Sequence, residues 1–492
     1  MSTKSTNNSA YLQQVNTLVK SLELSKMTSF NQARKAIFNS TALRTLVEEN
    51  TGRPVVALSS GTSQAVAFGR YFDQIDQDLR SNTYYRDYTP TAGNVEARQA
   101  LALVESQQFQ DTLYDADDIC LTEGSTGAIT AVFETLQRSD RNAEVVIASP
   151  AYYLYKLAAE YFGLPYTEVN LLQNNIPTGS SPLAQLTKSI TPQTKLIVVC
   201  NPSNPGGELY TQEDIECLLK VAKARNIMVL ADELFAELAF ESNTFQSFAV
   251  VAERLDALNN LITIKGYSKS KNLAGLRIGY ALSKNKEFVN KLLLTLEQRQ
   301  CFPVASMFTG LIELDAFVQF VLQQKNALEK SLAERVLSAQ QQFSFCAAIR
   351  SKSTAELQKI VSEFAEYSEK QRQTYRTLYD RAVQELGELV TEKTQTEVAF
   401  NTFVKIGALQ GVDQLDFTLQ LYIKTGVKIE IGPCFGWTQQ QWQEDSDLGF
   451  WLRLSFSQPE PEYLKGIKLL KEFITLFLLT NSTDYSSELT SV

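Results

Sequence analysis

Six short apolar runs, separated mostly by helix-sized segments, constrain the fold of this 492-residue chain more than anything else in its sequence. They are Ile119–Thr122, Val145–Ala148, Leu196–Cys200, Ile227–Ala231, Leu261–Ile264 and Ile278–Leu282. Each is apolar at consecutive rather than alternate positions, so both faces of each strand must be covered. Strands of that kind between helices predict an α/β layer architecture around a mostly parallel sheet. In such sheets ligands sit beyond the carboxyl ends of the strands. The polar motifs of the chain fall at such ends.

A shorter run at Val55–Leu58 predicts one more strand, preceded by helix-period patterning to about Glu49. The polar start, Met1–Asn8, is expected to lack structure. Residues 307–364, rich in Gln, Ala and Leu, predict two or three amphipathic helices and no strand. The expected organisation is an N-terminal arm belonging to a small domain (1–54), a large domain (55–306), a helical insertion (307–364), a small α+β domain (365–482) and a Ser/Thr-rich tail (483–492). An insertion at a surface connection is expected to cover the mouth of the site or to extend a subunit interface.

Composition removes whole classes of chemistry. The chain has no histidine, which excludes Ser–His and Cys–His nucleophile pairs and HExxH zinc sites. Acid–base work near neutral pH falls to another group, and a lysine with a shifted pKa is the natural candidate. A net charge of −9 offers no footprint for nucleic acid. The apolar stretch near Phe473–Leu479 falls far short of the ~20 residues of a membrane span. No export signal opens the chain. The six cysteines have no paired or metal-like spacing, and no metal site is expected. A cytoplasmic protein without a membrane is therefore expected.

The most specific motif is Gly266-Tyr267-Ser268-Lys269-Ser270-Lys271, which leads to Arg277 and the Ile278–Leu282 strand. A lysine in a Gly/Ser-rich loop, with an arginine eight positions on, suits an aldehyde cofactor that also carries a phosphate. The competing lysines, Lys265 and Lys271, have Leu273 and Gly279 at that offset. Asp232-Glu233 ends the Ile227–Ala231 strand, where a carboxylate can hold a pyridine nitrogen in its protonated form. Asn201-Pro202-Ser203-Asn204-Pro205-Gly206-Gly207 is a rigid loop whose second asparagine can donate to a ligand oxygen. Glu123-Gly124-Ser125-Thr126-Gly127 turns from a strand into a helix and presents backbone N–H groups to an anion. Tyr152, in Pro150-Ala151-Tyr152-Tyr153-Leu154-Tyr155, offers an aromatic face; Tyr153 and Tyr155 read as packing or rim residues. Late in the chain stands Arg453-Leu454-Ser455-Phe456.

In this order the motifs resemble those of class I/II aminotransferases, within the fold-type I enzymes that use pyridoxal 5′-phosphate (PLP). The resemblance covers roughly Val55 to Glu472, apart from the 307–364 stretch. It implies a Schiff base on Lys269, the phosphate held by Arg277, Ser125 and Thr126, and Ser268 in the cofactor loop. It further implies Asp232 on the pyridine nitrogen, Asn204 on the cofactor's 3′-oxygen, Tyr152 stacked on the ring, and Tyr88 reaching the phosphate of a neighbouring subunit in a homodimer. Arg453 would grip the substrate carboxylate, with Asn204 and Gly61 lining the substrate side. Two positions depart from the family pattern: Phe235 stands where tyrosine is usual, and Gly206 where threonine is usual. The implied activity is transfer of an amino group between an amino acid and a keto acid. The alternative is an eliminating, replacing or cyclising lyase similar to 1-aminocyclopropane-1-carboxylate synthase. Arg299 is the candidate for a substrate's second carboxylate.

Overall fold

The computed structural model describes residues 2–81, 86–109, 114–172, 176, 180–241, 244–300, 302–324, 330–445 and 448–481. The tail expected at 483–492 lies outside them. Seven strands make the central sheet: β2 (Ile119–Glu123), β3 (Glu144–Ser149), β4 (Tyr166–Asn170), β5 (Thr194–Cys200), β6 (Met228–Asp232), β7 (Leu261–Gly266) and β8 (Ile278–Leu282). β1 (Val56–Ala57) precedes them in the chain and pairs elsewhere. The spatial order is β2-β8-β7-β6-β5-β3-β4. β3, β4, β5, β6 and β7 pair in parallel, while β8 runs antiparallel to both of its neighbours. The reversal of β8 has a consequence for the site. Its first residue lies at the same edge as the last residues of β5, β6 and β7, so Arg277, just before β8, reaches the loops that follow them.

The consecutive apolar pattern of the strands divides by parity between two helical layers. Val145, Ile147, Leu196, Val198, Leu230, Ile262 and Ile264 pack with helices Gly124–Ser139, Leu154–Phe162 and Lys286–Gln300. Their alternates Val146, Ile197, Val199, Val229, Ala231 and Leu261 pack with Pro182–Lys188, Gln212–Arg225 and Phe248–Arg254. Full burial of each Val, Leu or Ile contributes about 1.5–3 kcal/mol, so the sheet is anchored from both sides. Helix boundaries follow local chemistry. Thr211 and Asp214 form a reciprocal capping box at the start of Gln212–Arg225, and Asn226, at φ 52°, ends it in the left-handed region. β4 escapes the sequence pattern because every residue of this edge strand is only half-buried and most are polar.

A second sheet belongs to the later part of the chain. β9 (Glu392–Lys393), β10 (Asn401–Lys405), β12 (Glu430–Ile431) and β13 (Trp451–Ser455) pair antiparallel in the order β12-β13-β10-β9, while β11 (Val427–Lys428) pairs in parallel with β1. Three helices, Ser2–Ser21, Phe30–Asn39 and Thr41–Thr51, form the N-terminal arm. The polar start expected to lack structure is drawn into the first of them, whose Tyr11, Val15 and Val19 pack with Tyr422 and Ile423.

The 307–364 stretch differs from its expectation as a surface insertion. Its first helix, Thr309–Leu322, buries twelve of its fourteen residues. It packs against helices Val95–Ser106 and Gly69–Ser81. A helix buried on nearly every face, even at Glu313 and Asp315, belongs in a core rather than on a lid. Together with the preceding turn, Val304–Leu322 is long and apolar enough to cross a membrane by length and composition, more so than Phe473–Leu479. It is enclosed by the chain's own helices. The boundary drawn at 364 falls within one uninterrupted helix of 33 residues, Thr354–Leu386.

Candidate functional site

Three lysines stand at the end of β7 and in the loop after it, and their surroundings separate them. Lys265 Nζ lies 2.7 Å from Glu105 and 3.6 Å from Glu233. Lys271, almost fully enclosed, pairs with Glu237 and, at 3.0 Å, with Asp315. Burial works against both charges, but the facing carboxylates outweigh it and hold both amines above the usual lysine range. Among the described residues Lys269 makes no ion pair within 4.0 Å; its Nζ donates to the Gly61 carbonyl at 2.5 Å and sits 5.9 Å from the centre of the Phe235 ring. Burial, reinforced by Arg453 and Arg277 and opposed by Asp232, brings its amine down to about 8. A lysine in that state can act as a nucleophile or a proton carrier near neutral pH.

Asp232 is the last residue of β6 and only 3% exposed. Its Oδ2 accepts from the Tyr155 hydroxyl at 2.6 Å and its Oδ1 from the Leu234 N–H at 3.1 Å. Burial raises its carboxyl, against those two donors and the Lys269 charge. Tyr155, read from sequence as packing, therefore holds a site carboxylate. Tyr152 precedes helix Leu154–Phe162 and Tyr155 lies in its first turn, their ring centres 5.8 Å apart. Phe235 is buried beside this carboxylate's loop and packs edge-on against Phe400, with ring centres 5.6 Å apart.

The loop after β5 is fixed from several directions. Asn201 donates to the Gln246 carbonyl and accepts from the Tyr210 N–H. Asn204 Oδ1 accepts from Arg453 Nη1 at 3.0 Å, which leaves the amide nitrogen to donate to a ligand. The glycine at 206 has a steric cause. A Cβ there would lie 2.9 Å from Glu208, Ser203 and Thr394 alike, so the threonine usual in the resembling family would not fit without displacing them.

An anion cradle forms where β2 turns into helix Gly124–Ser139. Gly124 takes φ +68°, and a Cβ on it would meet the Arg277 guanidinium at 2.7 Å. That guanidinium donates to the carbonyls of Glu123 at 3.0 Å and Ala274 at 3.1 Å. The N-terminus of the helix, which carries Ser125 and Thr126 in its first turn, thus meets a guanidinium. Tyr152 packs edge-on against Tyr155. Ser268 is buried beside Lys269 in the lysine loop.

Arg453, on β13, is 4% exposed and donates through Nη2 to the Ser59 carbonyl at 2.9 Å. Across the strand pair it also meets Glu430, which sequence reasoning did not single out. No motif flags that residue, because its importance comes from register. Two candidates stay apart from the cluster. Tyr88 is 86% exposed and touches Phe302 edge-on. Arg299 is held by Glu134 at 2.9 Å and by the Thr130 hydroxyl at 2.8 Å.

Comparison with known proteins follows the same outline. The family model for aminotransferase class I and II matches residues 56–465. An aspartate aminotransferase of Bacillus subtilis is 31% identical over 235 residues, 47% of this chain and 56% of that protein. The chain's match thus spans about half the length of the curated relatives it resembles. Among solved structures, the aspartate aminotransferase of Rhizobium meliloti superposes with a TM-score of 0.68 at 18% identity, covering 92% of this chain and 98% of that one. A Thermus thermophilus aspartate aminotransferase double mutant gives 0.66 at 21% identity, covering 88% and 96%. At those identities the superposition establishes the fold, that of fold-type I aminotransferases.

Proposed function

Because this chain belongs to the class I and II aminotransferase family, we propose that it moves an amino group from an α-amino acid to a keto acid, with Lys269 as the covalent attachment point of pyridoxal 5′-phosphate. One observation carries the reading. Of the three lysines at the end of β7 and just after it, Lys269 alone has no carboxylate within 4.0 Å among the described residues, and its amine feels Arg453, Asp232 and Arg277 together.

The residues fit the cofactor. The cradle of Gly124, Ser125, Thr126 and Arg277 suits a phosphate, and a side chain at Gly124 would fill it. Asp232, buried and held by Tyr155, suits a protonated ring nitrogen. Asn204 retains a donor for a ring oxygen, and Tyr152 offers a flat face. When bound, PLP supplies an aldehyde that captures the substrate amine and a ring that accepts the electrons released at the substrate's α-carbon.

The protein's own groups do the rest. Arg453 orients the substrate through its carboxylate, using a planar fork that lysine cannot supply. Lys269 Nζ, when its amine is free, would take the proton from the substrate's α-carbon and hold it for return. With its amine near 8, roughly a tenth is already neutral at pH 7. Asp232 would hold the ring nitrogen, and Tyr155 fixes the carboxylate's orientation. The eliminating or cyclising alternative has no counterpart among the relatives above, which are named aminotransferases.

A homodimer belongs to the same proposal. Tyr88 is exposed on the large domain, free to reach a partner's anion cradle, and Val66 and Val95 are exposed as well. The test of the activity is a spectral screen of the twenty amino acids against the purified holoenzyme. Bleaching of the lysine-linked cofactor band, with one keto acid and one aminated cofactor formed per site, is the expected result. Product formation that leaves the cofactor in its aldehyde form would instead indicate elimination.

The Phe235 departure gives a second expectation. Without a tyrosine hydroxyl, the cofactor's 3′-oxygen has one donor fewer and leans on Asn204, so the lysine-linked nitrogen should hold its proton more strongly. Phe235→Tyr is expected to lower the midpoint of the visible pH titration. Coincident midpoints would make the position neutral. Because Phe235 is buried against Phe400, a hydroxyl that finds no partner would destabilise the fold, so a thermal melt accompanies the titration.

A further inference from the structure

Arg453 is not an open fork. Its Nη2 lies 2.5 Å from Glu430 Oε2 and also donates to Ser59, its Nη1 is taken by Asn204, and its Nε is buried without a hydrogen-bond partner among the described residues. The other oxygen of Glu430, Oε1, lies 3.2 Å from Arg34 Nη2, on helix Phe30–Asn39 of the N-terminal arm. Arg34 Nε is likewise buried and unpartnered. One carboxylate is thus shared by two guanidinium groups, with side-chain exposures of 5% for Arg453, 8% for Arg34 and 16% for Glu430.

A substrate carboxylate needs two parallel N–H donors for a bidentate grip. The Nε–Nη2 edge of Arg453 has one donor free and one engaged by Glu430. The grip is complete only if Glu430 leaves Nη2, and Arg34 offers it a second place, with Nη2 already in reach and Nε vacant. The charges balance in that state: two guanidinium groups face one internal and one substrate carboxylate. If instead the substrate's reacting carbon carries no carboxylate, Arg453 would be a buried, unmatched charge, a heavy cost. Glu430 at Nη2 removes that cost.

Resting on the aminotransferase reading above, we propose that Glu430 is a switchable counter-ion. It pairs with Arg453 for substrates whose reacting carbon bears no carboxylate, and moves to Arg34 for α-amino acids. The substrate class of the site then widens to primary amines such as ω-amino acids. In either case the substrate's amine nitrogen is exchanged for a carbonyl oxygen. The electron pair of its C–H bond passes to the cofactor, and the proton travels through Lys269 Nζ. An α-amino acid leaves as a keto acid and an ω-amino acid as an aldehyde.

Two isomers test this in the holoenzyme: 2-aminopentanoate and 5-aminopentanoate, which differ only in where the amine sits. Single-turnover bleaching of the lysine-linked band is followed for each. Binding of unreactive pentanoate is measured by calorimetry as a readout independent of activity. The wild type is expected to convert both isomers. Glu430→Gln, which keeps an acceptor but loses the charge, should tighten pentanoate about tenfold and raise the 2-amino to 5-amino rate ratio by a similar factor. Arg34→Gln removes the second place for Glu430 and should shift both quantities the opposite way. Opposed shifts are the signature of a switch, because a merely structural role would move both substrates together in each variant. Parallel losses in the two variants, or a wild type inert toward 5-aminopentanoate, would overturn the proposal. Failure of all twenty amino acids in the screen would instead remove the aminotransferase reading.

Discussion

Lys269→Ala is expected to abolish the visible band of the lysine-linked cofactor and to lower turnover by roughly 10³–10⁴-fold, the upper range for a positioned acid–base group. The loss should not be shared by neighbouring lysines, and the structure gives the reason. Lys265 and Lys271 are committed to Glu105, Glu233, Glu237 and Asp315. Lys271→Ala is nevertheless a poor control. It would leave Asp315 buried opposite an empty space, and breaking a buried pair in that way costs about 3–5 kcal/mol. Borohydride trapping followed by peptide mapping avoids the problem, since it labels the attachment residue in the intact protein. The label is expected on Lys269 alone; a label on Lys265 or Lys271 would reject the assignment. A pH series on the cofactor-free protein adds a second check. Only the neutral amine attacks an aldehyde, so the rate of PLP capture should rise through about pH 8 and level off above it.

The sequence made some of this legible and hid the rest for identifiable reasons. Strands covered on both faces write themselves as consecutive apolar residues, so six of the seven in the central sheet were found within two residues of their ends. β4 was lost because an edge strand is only half-covered and keeps Thr167, Glu168 and Asn170. Lys269, Asp232, Asn204, Arg277 and Arg453 stand in loops or strand ends with distinctive local spacing, and the structure gathers Lys269, Asp232, Arg277 and Arg453 around one point. Glu430 and Arg34 have no such local sign. They meet Arg453 through cross-strand register and through the docking of the N-terminal arm, and neither relation can be read along the chain. The stretch around Thr309–Leu322 was misplaced because long spacing between Lys269 and Arg453 suggested added surface. Its apolar residues on every face, Leu311, Leu314 and Phe317 among them, belong to the core of the large domain.

Asp232→Ala is expected to leave PLP bound and yet cut turnover by roughly 10²–10³-fold, the size associated with losing one preorganised electrostatic partner. Binding should survive because the cradle of Gly124, Ser125, Thr126 and Arg277, together with Lys269, is separate from this carboxylate. Turnover should fall because, with no anion opposite it, the ring nitrogen gives up its proton and accepts electrons poorly from the α-carbon. The substitution also has a structural side. Tyr155 and the Leu234 N–H lose their acceptor, and each buried group left unpaired costs about 1–3 kcal/mol. Part of that is offset, because a carboxylate that burial already disfavours is removed with it. Asp232→Asn separates the two effects. It keeps an oxygen for Tyr155 but cannot hold a proton on the ring nitrogen by charge. If the melt of Asp232→Asn matches the wild type while its turnover drops with that of Asp232→Ala, the carboxylate acts through its charge on the cofactor. If turnover of both variants stays near the wild type, Asp232 is only the polar end of β6, and Tyr155 holds it there for the sake of the fold.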